Sequence, residues 1–255
     1  MWKKVIFPIA AIALLTGLFQ SLQEKKNNAK TDLVLNKTVE KTAQFLIRDW
    51  KADQELQEVP PPQVIPVLSG SNIYGACGSE EANVTHWEIG GSSYCPRTHS
   101  IYLVPEELRA FSEAFGVSSI AYVLAHEFGH AFQFAYDVKI DGAALELQAD
   151  CLAGVFIDVG SKDLGITRDD VLDMAQAAYS IGSESHGSGA QRKYALLSGM
   201  GVLSATCSNQ SMQNLADGKI NDPALNELTR TRSGGGSLDT SLTPYPKDIN
   251  NALGL

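Results

Sequence analysis

Two histidines and a glutamate lie at the centre of an otherwise apolar stretch, VLAHEFGHAFQF, residues 123–134. The apolar residues repeat at the 3.6-residue interval of a buried α-helix, but this periodicity does not explain His126, Glu127 and His130. Residues four apart lie on one face of a helix, so the two histidines point in the same direction. Two imidazoles so placed can bind one Zn²⁺, with Glu127 beside a water molecule that the metal activates. Hydrogen-bonded core histidines are the alternative interpretation.

A catalytic zinc site needs a third protein ligand. One large class of zinc proteases has a third histidine six residues after the second, with a glycine between them. This chain has Gln133 and Tyr136 at those positions, which excludes that class. The next candidates are Glu146 and Asp150 in LELQAD, residues 145–150, which lie four apart and share one face of a predicted helix.

We expect Glu146 to bind the metal and Asp150 to lie behind it. A metal-bound histidine normally donates its other ring N–H to a carboxylate, and Asp150 is one turn on, where it can accept that bond from His126. The reverse assignment, with Asp150 on the metal, stays open. A solvated helix face would also explain two acids at this spacing, but the residues around them are largely apolar.

A further histidine, His186, lies in the loop segment GSESHGSG between two predicted helices. Its small neighbours allow close approach to a substrate, so His186 can donate to the oxyanion of a tetrahedral intermediate. A surface histidine with no role in catalysis is the alternative. Gln191 and Arg192 either hold this loop or bind the oxyanion.

Composition limits the classes of partner. The chain has 255 residues, of which 44% are hydrophobic, and its net charge is −9. No long stripe of Lys and Arg is present to neutralise phosphates, so we expect no nucleic-acid partner.

The first residues resemble an export signal or a short membrane anchor. Lys3 and Lys4 precede an apolar run over residues 5–19, and no small-x-small cleavage site follows at the right distance. We therefore favour an uncleaved, single-pass anchor over a cleaved signal, with the catalytic domain outside the cytoplasm; the alternative is a secreted or periplasmic protein.

The four cysteines contain no CxxC pair, which argues against a zinc–thiolate site. Proximity along the chain suggests that Cys77 pairs with Cys95 and Cys151 with Cys207. Free buried thiols in a cytosolic protein are the alternative. Disulfides agree with an export signal, since both are typical of proteins outside the cytoplasm.

The pattern divides the chain into residues 1–22 (signal anchor or signal peptide), 23–32 (linker), 33–207 (catalytic domain) and 208–255 (a mostly disordered tail). Helices dominate the domain, including one over residues 33–51, the helix bearing HEFGH, and those that follow it. VIPVL and SIYLV read as short strands. Tyr94 together with SIYLV is a candidate edge for pairing with an extended peptide.

Several of these motifs together resemble a known family. HExxH followed by ExxxD is similar to the gluzincin group of zinc peptidases, and HEFGHAFQ, ELQADCLAGVF, SHGSGAQR and YCP more closely resemble the bacterial neutral zinc metallopeptidase family. The resemblance covers about residues 40–207. The chain departs from the family where Arg97 replaces an acid after YCP and where Ser185 replaces threonine.

The resemblance implies a mainly α (α+β), zincin-like metallopeptidase domain with a small disulfide-organised region of loops and strands. It also implies one Zn²⁺ per chain, a protein or peptide substrate, and cysteines paired in sequence order. On this interpretation Glu127 is the general base. The alternatives are a zinc hydrolase acting on a cell-wall amide and a non-catalytic binding module.

Overall fold

The structure is a computed structural model that describes residues 32–67, 72–73, 84–85 and 91–230. These residues are mainly helical, as the sequence predicted. The helices are α1 (32–52), α2 (Pro105–Phe115), α3 (Ser119–Ala135), α4 (Gly142–Leu164), α5 (Arg168–Ser180), α6 (Gly189–Gly199), α7 (Asn209–Ala216) and α8 (Pro223–Arg230). The strands are β1 (Gln63–Pro66), β2 (Asn72–Ile73), β3 (Val84–Thr85), β4 (Ser93–Cys95) and β5 (Ser100–Leu103).

Helix α3 runs through the centre of the core and carries HEFGH. Ile120, Leu124 and Phe128 are fully buried, and so are residues on the other sides of the helix, including Ala125 and Ala131. A helix that is apolar on all sides is one surrounded by other elements. The histidines of α3 are therefore held on a rigid support.

The larger sheet has the order β1-β5-β4. Strand β5 is its central strand, parallel to β1 and antiparallel to β4, and its four residues are buried. The SIYLV segment therefore does not form an open edge, contrary to the sequence-based expectation, because β1 and β4 occupy both of its sides. Tyr94 does lie on an edge strand, β4.

Helices α3 and α4 pack closely where both carry polar residues. A Cβ atom on Gly129 would lie 2.9 Å from the carbonyl oxygen of Ala149. Helix α4 approaches α6 as closely, since a Cβ atom on Gly154 would lie 2.2 Å from the carbonyl oxygen of Leu196. Only glycine fits either contact, and the result is that polar side chains of α3, α4 and α6 meet.

The Cys151–Cys207 disulfide is present, with the two Cα atoms 5.5 Å apart, which confirms that pairing. It joins α4 to the segment between α6 and α7. Cys95 is buried and also disulfide-bonded. Cys77, the partner expected from the sequence, lies outside the described residues.

The prediction that residues 208–255 form a mostly disordered tail is wrong for the first part of that segment, because α7 and α8 lie within it. The side chain of Ser208 caps α7 by accepting a hydrogen bond from the N–H of Ser211, and Met212 and Leu215 are fully buried. Polar composition predicted disorder here because the apolar residues are few. Those few share one face of a helix and pack on the core.

The apolar run over residues 5–19 and the expected linker as far as residue 31 lie outside the described residues, and residue 32 already belongs to α1. Within the part of the chain that the structure describes, no helix is both long enough and apolar enough to cross a membrane.

The position of Met212 gives a test of the packing of α7. We expect Met212→Ala to lower the free energy of unfolding by about 2–5 kcal/mol, because it removes a fully buried side chain. The exposed Gln210, on the same helix, provides the control: Gln210→Ala should change stability by no more than about 0.5 kcal/mol. Denaturant unfolding of both variants measures this, and equal stabilities would contradict the packing of α7 on the core.

Candidate metal centre

Three side chains from two helices converge at one point. The Nε2 atoms of His126 and His130 are 3.2 Å apart. The carboxylate of Glu146 reaches both rings, with Oε2 at 3.4 Å from His126 Nε2 and Oε1 at 3.6 Å from His130 Nε2. These three residues form a group that can hold a metal ion.

The distances between the two ring nitrogens and from each ring to one oxygen of Glu146 are of the size found around a small tetrahedral ion. Two ligand atoms at about 2.05 Å from a tetrahedral zinc ion are roughly 3.3 Å apart. The three distances, 3.2, 3.4 and 3.6 Å, lie close to that value. The three side chains are therefore close enough to hold one metal ion.

Asp150 lies behind the triad. Its Oδ1 atom is 2.9 Å from His126 Nδ1 and also accepts hydrogen bonds from the hydroxyl of Tyr122 at 2.7 Å and from Arg192 at 2.9 Å. Its Oδ2 atom accepts from Arg192 Nε at 2.7 Å. A carboxylate partner makes Nδ1 of His126 the protonated nitrogen and leaves Nε2 for a metal.

The charges around Asp150 stabilise one another. Burial of this carboxyl group would raise its pKa, but the guanidinium of Arg192 and the ring of His126 outweigh burial and lower the pKa to about 2. Burial would lower the pKa of His126, and the charge of Asp150 instead raises it to about 10. A metal ion that binds Nε2 of His126 would therefore compete with a proton.

Glu146 is held as a carboxylate by the two rings. Burial acts to raise the pKa of Glu146, and hydrogen bonds from His126 and His130 outweigh it and hold the pKa well below its usual range. A deprotonated carboxylate is the form that binds a metal.

The second histidine has a neutral partner. His130 Nδ1 lies 2.8 Å from Gln133 Oε1, and Gln133 donates to the carbonyl oxygen of Leu145 at 2.7 Å. An amide oxygen only accepts, so Nδ1 carries the proton and Nε2 of His130 is also available to a metal.

Glu127 lies beside the triad and outside it. Its side chain is buried, and Oε2 accepts a hydrogen bond of 2.7 Å from the backbone N–H of Tyr94. Burial raises the pKa of Glu127 above its ordinary value, while the two histidines act in the opposite direction. The backbone of β4 thus fixes one oxygen of this carboxylate.

A cavity of about 620 Å³ opens in front of these residues. It is lined by the triad, by Glu127 and by the edge strand β4. Its apolar lining residues are contributed by α3 and by its neighbours in the chain and include Val123, Phe111, Phe134, Val138 and Ile140.

His186 lines the same cavity. The hydroxyls of Ser183 and Ser185 each lie 2.8 Å from its Nδ1 atom, and the loop is closed by a bridge between Ser183 and Gly187. Gln191 holds this loop: its Oε1 accepts from the N–H of Ser188.

Apart from Asp150, sequence reasoning missed the partners that orient the histidines. Gln133 served to exclude one protease class, yet its place three residues after His130 on a buried helix face could have revealed it. Tyr122, four residues before His126, gave the same kind of signal. Arg192 touches Asp150 across a helix interface, and no spacing along the chain predicts such a contact.

Searches against models of protein families, curated proteins and solved structures gave no match to this chain.

The roles of the two acids can be separated by metal analysis. Glu146→Ala should abolish stoichiometric zinc, because it removes one of three ligands. Asp150→Asn keeps the shape of the side chain and loses its charge, so zinc should still bind with affinity about 10–100-fold lower. Zinc content and affinity of the two variants check this. Loss of all zinc from Asp150→Asn with full retention by Glu146→Ala would reverse the assignment.

Proposed function

We propose that this protein is a zinc-dependent metalloendopeptidase. The observation that supports this most is that His126, His130 and Glu146 converge on one point while Glu127 lies beside them and not among them. A site that only stored or carried a metal would have no use for a fourth, buried carboxylate at the mouth of a cavity.

Zinc is the ion that suits this group of atoms. Two imidazole nitrogens and one carboxylate oxygen form a common ligand set for catalytic zinc, and both histidines have the hydrogen-bonded outer partners that such ligands use. When bound, zinc would polarise the scissile carbonyl and lower the pKa of a water molecule towards ~7.

Glu127 is the general base of this proposal. It takes a proton from the attacking water and later passes it to the leaving amine. The N–H of Tyr94 fixes Oε2, so the carboxylate is oriented before substrate arrives. Fixed orientation matters because a general base must lie within hydrogen-bond reach of the proton it removes.

The shape of the cavity suits an extended peptide. Its wall follows α3 from Val123 to Phe134, roughly 16 Å at 1.5 Å per residue. An extended chain of about five residues has that length. The edge strand β4 borders the same space, and because the N–H of Tyr94 is held by Glu127, this strand orients the base and does not pair with the peptide. Lining residues of α3 both before His126 and after His130 are the reason for proposing cleavage within a chain.

His186 is the proposed donor to the oxyanion. The hydroxyls of Ser183 and Ser185 both lie at Nδ1, and no hydrogen bond to Nε2 occurs among the described residues. Nε2 is then the ring nitrogen that can donate to a substrate in the cavity.

The motifs that resemble the neutral zinc metallopeptidase family support the same proposal, and a catalytic domain outside the cytoplasm behind an N-terminal anchor is part of it. The Cys151–Cys207 disulfide fits an oxidising compartment.

Thiol titration of the native, non-reduced protein should therefore find none of the four cysteines free. Four free thiols would remove both disulfides and the argument for export.

The proposed chemistry is tested by separating catalysis from metal binding. Glu127→Gln keeps the size of the side chain and an oxygen for the N–H of Tyr94, and it cannot take a proton. We expect this variant to retain zinc and a melting temperature within a few degrees of the parent. Peptide hydrolysis should fall by about 10²–10⁴-fold, the usual contribution of a positioned base.

His126→Ala is the matched comparison, because it should lose both zinc and activity. Zinc content and hydrolysis are measured on both variants, with casein and cell-wall material as substrates. Activity on cell-wall material alone would mean that the protein is an amide hydrolase and not a peptidase. A Glu127→Gln variant as fast as the parent would mean that the metal serves another purpose.

A further inference from the structure

A chain of hydrogen bonds connects the candidate metal centre to the disulfide on the far side of α4. We propose that Gln133 and Gln148 are positioning residues that tie the ring of His130 to the segment held by the Cys151–Cys207 disulfide, so that metal affinity depends on this disulfide. The inference rests on the metal site of the proposed function and goes beyond it.

The inner part of this chain joins α3 to α4. His130 Nδ1 lies 2.8 Å from Gln133 Oε1, and Gln133 Nε2 donates to Gln148 Oε1 at 3.1 Å. Both glutamines are buried, with relative exposures of 4% and 5%. Buried amides that are fully hydrogen-bonded have few alternative orientations, so they hold their partners firmly.

The outer part reaches the disulfide. Gln148 Nε2 donates to the carbonyl oxygen of Cys207 at 2.8 Å and to Asn209 Oδ1 at 2.8 Å. Cys207 is bonded to Cys151, which lies three residues after Gln148 on the same helix. The disulfide therefore holds the acceptor groups in front of the amide that uses them.

The carbonyl group at the outer end of this hydrogen-bond series determines which group donates and which accepts in each of its bonds. The carbonyl of Cys207 only accepts, which turns the NH₂ group of Gln148 outwards and its oxygen towards Gln133. Gln133 must then donate to Gln148 and to Leu145, and its own oxygen faces His130. The ring of His130 is left with its proton on Nδ1 and with Nε2 towards the triad.

The other histidine does not depend on this chain. His126 is held by Asp150, which is itself held by Tyr122 and Arg192. Loss of the disulfide should therefore disturb one of the two imidazole ligands and spare the other. A metal site in which one ligand is held less firmly keeps all of its ligands but binds the metal less tightly.

The test uses the full chain and three methionine variants, since methionine has the length of glutamine and lacks its amide. Gln133→Met and Gln148→Met interrupt the series of hydrogen bonds at successive positions. Gln191→Met is the control: Gln191 also fixes α7, by donating to the carbonyl oxygen of Leu215 at 2.6 Å, and it has no bond to either glutamine. Zinc affinity is measured by competition with a chelator, alongside the melting temperature of each metal-free protein.

We expect Gln133→Met to weaken zinc binding by about 10–100-fold, as for other direct partners of a metal-bound histidine. Gln148→Met should weaken it by about fivefold, the value of one hydrogen bond. Gln191→Met should lower the melting temperature and leave zinc affinity unchanged. The visible spectrum of the Co²⁺-loaded protein should change in the first two variants and not in the third.

The disulfide is tested by a double-mutant cycle. The variant Cys151→Ala with Cys207→Ala should bind zinc about as weakly as Gln148→Met, and adding Gln148→Met to it should cause no further loss. Equal losses from Gln148→Met with and without the disulfide would overturn the link to the disulfide. If the disulfide-free variant does not fold, the three methionine variants decide whether the glutamines position His130.

Two results separate this inference from the proposed function. A parent protein that binds no stoichiometric zinc contradicts the proposed metal site itself. A parent that binds zinc tightly, together with a Gln133→Met variant of equal affinity and equal cobalt spectrum, leaves the metal site standing and overturns the inference.

Discussion

The arrangement of the helices depends on one fully buried carboxylate. Asp150 on α4 has no exposed surface, and its two oxygens accept bonds from Tyr122 and His126 on α3 and from Arg192 on α6. An unpaired buried charge would cost several kcal/mol, so the three helices are stable only where these partners meet. The close contacts at Gly129 and Gly154 bring the helices to that distance. The candidate metal centre therefore lies in the core, and the packing of the helices fixes its geometry.

The two histidines are supported by different kinds of partner. His126 is held by a charged group, whose bond is strong, while His130 is held by neutral amides that depend on each other for their orientation. A carboxylate partner for each of the two rings would add further negative charge to a site that already contains Glu146 and Glu127. A neutral partner for one ring limits the negative charge of a group that could hold a cation.

Much of the site could be predicted because its residues are close in sequence. His126, His130, Glu146 and Asp150 lie on two successive helices, and spacing by fours places each pair on one face. Arg192 could not be predicted, since its role arises from packing between α4 and α6. The same limit explains α7, whose few apolar residues gain their stability from a core that local composition does not contain. The order of the strands in the sheet could not be predicted either, because nothing in the sequence SIYLV distinguishes a central strand from an edge strand.

The hydrogen bond from Tyr94 to Glu127 has a consequence for the behaviour of the protein in solution. An open sheet edge is a template on which a second chain can add, and proteins with exposed edges risk aggregation. Strand β4 has three residues, and the N–H of Tyr94 is already used by the protein's own carboxylate. The opposite edge, β1, ends in Pro66, which has no N–H to offer. Both edges of this sheet are thus poor templates, and the contact that orients Glu127 also discourages one copy of the protein from joining its sheet to another.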